Sequence, residues 1–156
     1  RIGALITKNE KVRKAVMKFC QARLSPPLIG QVVAEASLDV PEDYLRDTYD
    51  EYVERRKCLI DGLNMIPGVY SPIPMGAFYT VAKLPVDDAE KFCAWCLSEF
   101  EYEGETVFMA PAAGFYTTPG LGVNEVRIAY VLNKSDLNRA LFVLSKALEA
   151  YPGKTE

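Results

Sequence analysis

The sequence contains no histidine. That absence excludes a Ser-His-Asp triad, a Cys-His dyad and every metal site that depends on imidazole. Cysteine is sparse: Cys20, Cys58, Cys93 and Cys96 are too few and too unevenly spaced for a secreted disulfide framework, which points to a reducing, cytoplasmic setting. There is no basic run, and a net charge of -3 gives neither an electrostatic footprint for nucleic acid nor a polybasic anchor for a membrane. No apolar stretch approaches the roughly 20 residues needed to cross a bilayer. No secretory leader is expected, and the chain opens on Arg1 rather than Met, as expected of a piece whose beginning is missing. The chemistry left open uses carboxylates, Lys, Arg, Tyr, Cys or a cofactor.

What is present is an ordinary globular composition. The 156 residues are 49% hydrophobic and 25% charged, enough for one compact domain or one domain with part of another. Residues 1–9 read as a short strand leading to Asn9, whose side chain can cap a helix. Val12, Val16, Phe19 and Cys20 then recur at helical spacing until Ser25-Pro26-Pro27, where proline removes an amide donor and clashes with the preceding turn. A second helical stretch covers 28–38. From Pro41 a long helix is predicted to about residue 65, with Glu42 and Asp43 at its positive end. Its stripe of Leu45, Tyr49, Tyr52, Leu59 and Leu63 predicts packing along the whole length. Asn64 and Pro67-Gly68 end it.

Beyond that point the periodicity changes. Residues 77–84 alternate as a strand does, 87–100 form an amphipathic helix, 106–110 and 126–131 read as strands, and 135–151 as a closing helix. No internal repeat appears. The pattern is an α+β fold, a small antiparallel or mixed sheet of about three strands covered by helices and preceded by a long helix.

Arg127 is the most informative residue. It lies within Val126-Arg127-Ile128-Ala129-Tyr130-Val131, where every neighbour is apolar, and alternation sets it opposite Val126 and Ile128. A guanidinium in such a strand needs an anion or water, because an unpaired buried charge costs several kcal/mol. A carboxylate suits its planar fork. The anion can belong to a ligand or to an internal Glu or Asp, and the residue pattern leaves both open.

Taken in order, Pro74-Met75-Gly76-Ala77-Phe78-Tyr79, then Met109-Ala110-Pro111-Ala112-Ala113-Gly114-Phe115-Tyr116, then Val126-Arg127-Ile128-Ala129-Tyr130 resemble the small domain of fold-type I aminotransferases of the aspartate aminotransferase type. Arg1-Ile2-Gly3 is similar to the end of the segment that in this family follows the cofactor-holding lysine. The resemblance covers essentially the whole chain. It implies residues 1–35 as a remnant of the large cofactor-binding domain with linker helices, and 36–156 as the C-terminal small domain. It implies pyridoxal 5'-phosphate as cofactor, and an L-amino acid (aspartate-like donor favoured) and a 2-oxo acid as substrates. It further implies a missing N-terminal large domain and a homodimeric full-length enzyme.

Residue by residue, the resemblance gives Arg127 the substrate α-carboxylate and Arg1 the cofactor phosphate. It places Gly76 and Phe78 in a segment that moves over the active site; the plainer reading of this pair is the lead-in to a strand with a packed aromatic. The chain departs from the family in the residues that would lie upstream of Arg1, among them the aspartate on the pyridinium nitrogen and the aromatic stacking residue. The lysine that would hold the cofactor falls upstream of Arg1, Lys8 stands on the wrong side of the motif, and the isolated chain is expected to be inactive. The alternative is a non-enzymatic α+β module that binds a protein partner.

Three other signals read as structure. Cys93 and Cys96 have C-x-x-C spacing but lie on the apolar stripe of a helix, whereas a redox pair opens a helix. The glycines at 120 and 122 read as a turn, since no strand-to-helix passage surrounds them. The charges between 46 and 61 read as a solvated helix face.

Overall fold

A computed structural model describes residues 2–155. Helices α1 (Glu10–Arg23), α2 (Leu28–Ala36), α3 (Glu42–Met65), α4 (Ala89–Ser98) and α5 (Lys134–Ala150) accompany strands β1 (Tyr79–Lys83), β2 (Ala110–Pro111) and β3 (Glu125–Ala129). The sheet has the order β1-β3-β2 and both pairings are antiparallel. This is the α+β arrangement expected.

The chain divides into two compact units, 1–47 and 48–156. In the first, Asn9 caps α1 by accepting from the amides of Lys11 and Val12. The predicted strand over 1–9 does not form among the described residues. Its apolar side chains have the composition for one, but a strand persists only where a neighbour completes its backbone hydrogen bonds. Neither α1 nor α2 has a buried residue, and Phe19, Leu28, Ile29, Val32 and Val33 are all exposed.

The second unit holds the core. Phe92, Cys96, Leu63, Val126, Leu137, Leu144 and Tyr130 belong to one buried cluster drawn from α3, α4, α5 and the inner face of the sheet. Asp88 and Asn133 cap α4 and α5, each accepting from first-turn amides. The expected packing of α3 along its whole length is corrected: Leu59, Ile60 and Leu63 are buried, whereas Leu45 and Tyr49 are exposed. The stripe runs the length of the helix, but only its second half meets a core. The strand expected over 106–110 also shrinks, pairing only at Ala110 and Pro111. Residues 107–109 keep the alternation, with Val107 and Met109 buried and Phe108 exposed, without continuing the ladder.

Cys93 and Cys96 sit in the core, and all four cysteines are free. Burial, with a smaller contribution from Glu90, pushes the Cys93 thiol up to about 11. Burial and then Cys93 push Cys96 up to about 12. Both remain protonated at neutral pH, and the thiolate is the reactive form. Native maleimide labelling at pH 7.5, read by peptide mass, should therefore modify exposed Cys20 well before Cys93 or Cys96. Equally fast labelling of the helical pair would refute the packing role.

Candidate functional site

Alternation along the sheet creates two unlike faces. On β3, Val126 enters the core while Arg127 and Ala129 are exposed; on β1, Thr80 and Ala82 are buried while Tyr79 and Lys83 are exposed. Since β3 is the central strand, Arg127 has a neighbour on each side, Val81 of β1 and Ala110 of β2. Its guanidinium carbon lies 5.3 Å from the centre of the Tyr79 ring and 4.8 Å from that of Phe115. Each such contact at an exposed site contributes about 0.5–1 kcal/mol. Among the described residues Arg127 makes no ion pair. The result is an oriented, solvent-facing fork with free donors, suited to a carboxylate.

Glu125 shares the outward side of β3, two residues from Arg127. Its Oε2 accepts a hydrogen bond from the Tyr116 hydroxyl at 2.5 Å. The Tyr116 ring lies over Gly122, whose φ is +73°; a Cβ there would come within 2.5 Å of the ring. Only glycine meets both demands.

The segment leading into β1 is held at several points. Asn64 accepts from the Ser71 amide at 2.9 Å and donates to its carbonyl at 3.0 Å. Arg56 donates to the Pro74 carbonyl at 3.1 Å, and the Tyr130 hydroxyl donates to the Ala77 carbonyl at 2.9 Å. Burial raises the Tyr130 phenol, with Arg56 opposing, so it keeps the proton it donates. Ala77 has a φ of 62°, an uncommon value for a residue with a side chain, and these anchors secure it. Between them, Gly76 and Phe78 are exposed. The Phe78 ring meets Tyr79 edge-on at 5.6 Å, so Phe78 reaches the Arg127 site through Tyr79. A Cβ at Gly76 would meet nothing within 4 Å; this residue borders a cavity of about 200 Å³ with Tyr52, Arg56 and Tyr130. Arg1, the other residue singled out from the sequence, lies outside the described residues.

Sequence reasoning missed several participants. Arg55 and Arg56, expected on a solvated helix face, are half-buried, and Arg55 donates to the Val131 carbonyl at 2.6 Å. Two adjacent arginines interrupting an otherwise amphipathic pattern were the available signal. Tyr79, Phe115 and Tyr116 stand inside or beside the motifs, but their convergence on Arg127 and Glu125 depends on strand register. The apolar cavity of about 350 Å³ bordered by Leu59, Ile128, Leu137 and Leu141 has no charged side chain in its lining and does not include Arg127.

Such a sheet, preceded by a long helix, forms an α+β domain like the C-terminal domain of aminotransferases. The comparisons with known proteins agree. The chain is 30% identical over 159 residues to an aspartate aminotransferase of Rhizobium meliloti, covering 94% of this chain and 36% of the relative. It is 35% identical over 153 residues to an aspartate aminotransferase of Pyrococcus horikoshii, covering 96% and 37%. Among solved structures, an alanine aminotransferase from Pyrococcus furiosus superposes with a TM-score of 0.69 at 27% identity, over 92% of this chain and 36% of that one. No known family profile matches. Over nearly its whole length the chain thus resembles the C-terminal part of fold-type I aminotransferases, and it spans little more than a third of the relatives it matches.

Proposed function

We propose that the chain is the C-terminal part of a pyridoxal-phosphate-dependent aminotransferase that moves an amino group between an L-amino acid, with an aspartate-like donor favoured, and a 2-oxo acid. The observation that carries this reading is the Arg127 side chain, exposed, flanked by Tyr79 and Phe115, and without an ion pair among the described residues. Relatives named aspartate aminotransferase support the donor preference. Residues 1–35 would belong to the large domain and its linker helices, and 36–156 to the small domain. The exposed apolar faces of α1 and α2 support their burial against further protein in a homodimeric parent. No described helix is long and apolar enough to cross a membrane, which is compatible with a cytoplasmic enzyme.

In this reading Arg127 grips the substrate α-carboxylate with two parallel hydrogen bonds and so fixes the direction of the bonds at the α-carbon. Phe78, through Tyr79, and Gly76 line the approach and exclude water on closure. When bound, the cofactor supplies an electron sink. The residue assigned to it is Arg1, whose guanidinium suits a phosphate.

The lysine that would hold the cofactor has no match in this chain, so the isolated chain should be inactive. Treatment with pyridoxal 5'-phosphate and borohydride, read by intact mass, tests this. The full-length protein should gain one phosphopyridoxyl group at a lysine preceding residue 1, and residues 1–156 alone none. A stoichiometric adduct at one lysine of the isolated chain would overturn the assignment.

A further inference from the structure

Among the described residues Arg127 has no anionic partner although a carboxylate shares its side of the strand. Glu125 and Arg127 are two residues apart on β3, a separation of about 7 Å between Cα atoms that two long side chains readily bridge. The Glu125 carboxylate instead accepts the Tyr116 hydroxyl at 2.5 Å. We propose that Tyr116 is a positioning residue that holds Glu125 away from Arg127, keeping the guanidinium open for the carboxylate of the amino acid substrate. This rests on the reading of Arg127 as the carboxylate site.

Three observations support it. First, Tyr116, though partly exposed, packs its ring on the turn. Its ring occupies the space left by the missing side chain of Gly122, and its amide donates to the Ala113 carbonyl at 3.2 Å. Second, the backbone of Glu125 is fixed on both sides, its amide bonded to the Gly122 carbonyl at 3.1 Å and its carbonyl accepting from Ala112 at 2.9 Å. The carboxylate can change partner only by swinging about its own side-chain bonds. Third, the hydrogen bond to Glu125 raises the Tyr116 phenol, so the hydroxyl keeps its proton and goes on donating through neutral pH. The neighbouring residue, Phe115, stacks on Arg127 itself. One short turn therefore places an aromatic face against the cation and a phenol on its rival anion. Lys83, opposite Glu125 on β1, forms no ion pair with it.

Loss of the phenol should let Glu125 compete for Arg127 as an intramolecular anion. An exposed ion pair of this kind corresponds to an about two- to fivefold loss of apparent affinity. In the full-length enzyme, Tyr116→Phe should raise KM for the amino acid by that factor while kcat stays within about twofold. Propionate, a simple monocarboxylate, should show the same rise in Kd by calorimetry without turnover. With Glu125→Gln as the background, adding Tyr116→Phe should change neither quantity. The same rise in the Gln background would overturn the proposal, since Tyr116 would then matter only as a packed ring. No rise with Glu125 present would also overturn it, provided Arg127→Lys weakens propionate binding. If Arg127→Lys itself leaves propionate binding intact, the reading of Arg127 has failed and the proposal falls with it.

Discussion

Arg127→Lys in the full-length enzyme is expected to lower kcat/KM by roughly 30- to 1000-fold, on the order of 2–4 kcal/mol. The substitution keeps the positive charge and removes the fork, so it tests geometry rather than electrostatics. A lysine presents one compact ammonium and can place only one strong bond on a carboxylate; it also stacks less well on the Tyr79 and Phe115 rings that orient the guanidinium. Stability should change far less than activity, since no ion pair among the described residues depends on Arg127. Steady-state kinetics with thermal unfolding of the same preparation separates the two effects. Unchanged kcat/KM, or a protein that mainly unfolds, would make Arg127 structural.

Phe92→Ala should have the largest effect on folding, about 3–5 kcal/mol. The ring is fully buried, meets Tyr151 edge-on at 5.0 Å and stacks on Trp95 at 6.3 Å. Removing it loses the transfer free energy of a large side chain and leaves a cavity that helix α4 cannot close, because the indole of Trp95 is itself held by Phe100 and Tyr151. Hydrogen exchange at residues 79–83 and 125–129 of the full-length protein reports the opening of this unit separately from the rest. Exchange there as slow as in the unsubstituted protein would show that the aromatic cluster is not what holds the unit closed.

These two residues also mark what was legible in the sequence. Phe92 announces itself through helical spacing with Cys93 and Cys96, and all three prove buried. Arg127 announces itself as a charge among apolar neighbours on an alternating strand, and alternation correctly put it on the face opposite Val126. Asn9 could be read as a cap because that interaction is local, spanning two or three residues. What could not be read depends on partners distant in the chain. Residues 1–9 had the composition of a strand, but pairing is a property of two segments. Leu45 and Tyr49 continue the stripe of α3 where no core of the described residues meets them. Tyr116 meets Glu125 only because the turn at 119–124 returns the chain, and nothing in either residue alone predicts that meeting. The charges of α3 illustrate the same limit, since a solvated arginine and one donating to a carbonyl have the same pattern.

Arg55 and Arg56 have a mechanical consequence. Neighbouring residues on a helix diverge by about 100° around its axis. The two arginines use that divergence to reach opposite targets, the Val131 carbonyl just beyond β3 and the Pro74 carbonyl ahead of β1. One turn of α3 is thereby fastened to the chain on both flanks of the arginine site, as an axle is pinned to two plates. In the proposed enzyme, a carboxylate held by Arg127 would sit on a strand tied through Val131 and α3 to the segment carrying Gly76 and Phe78.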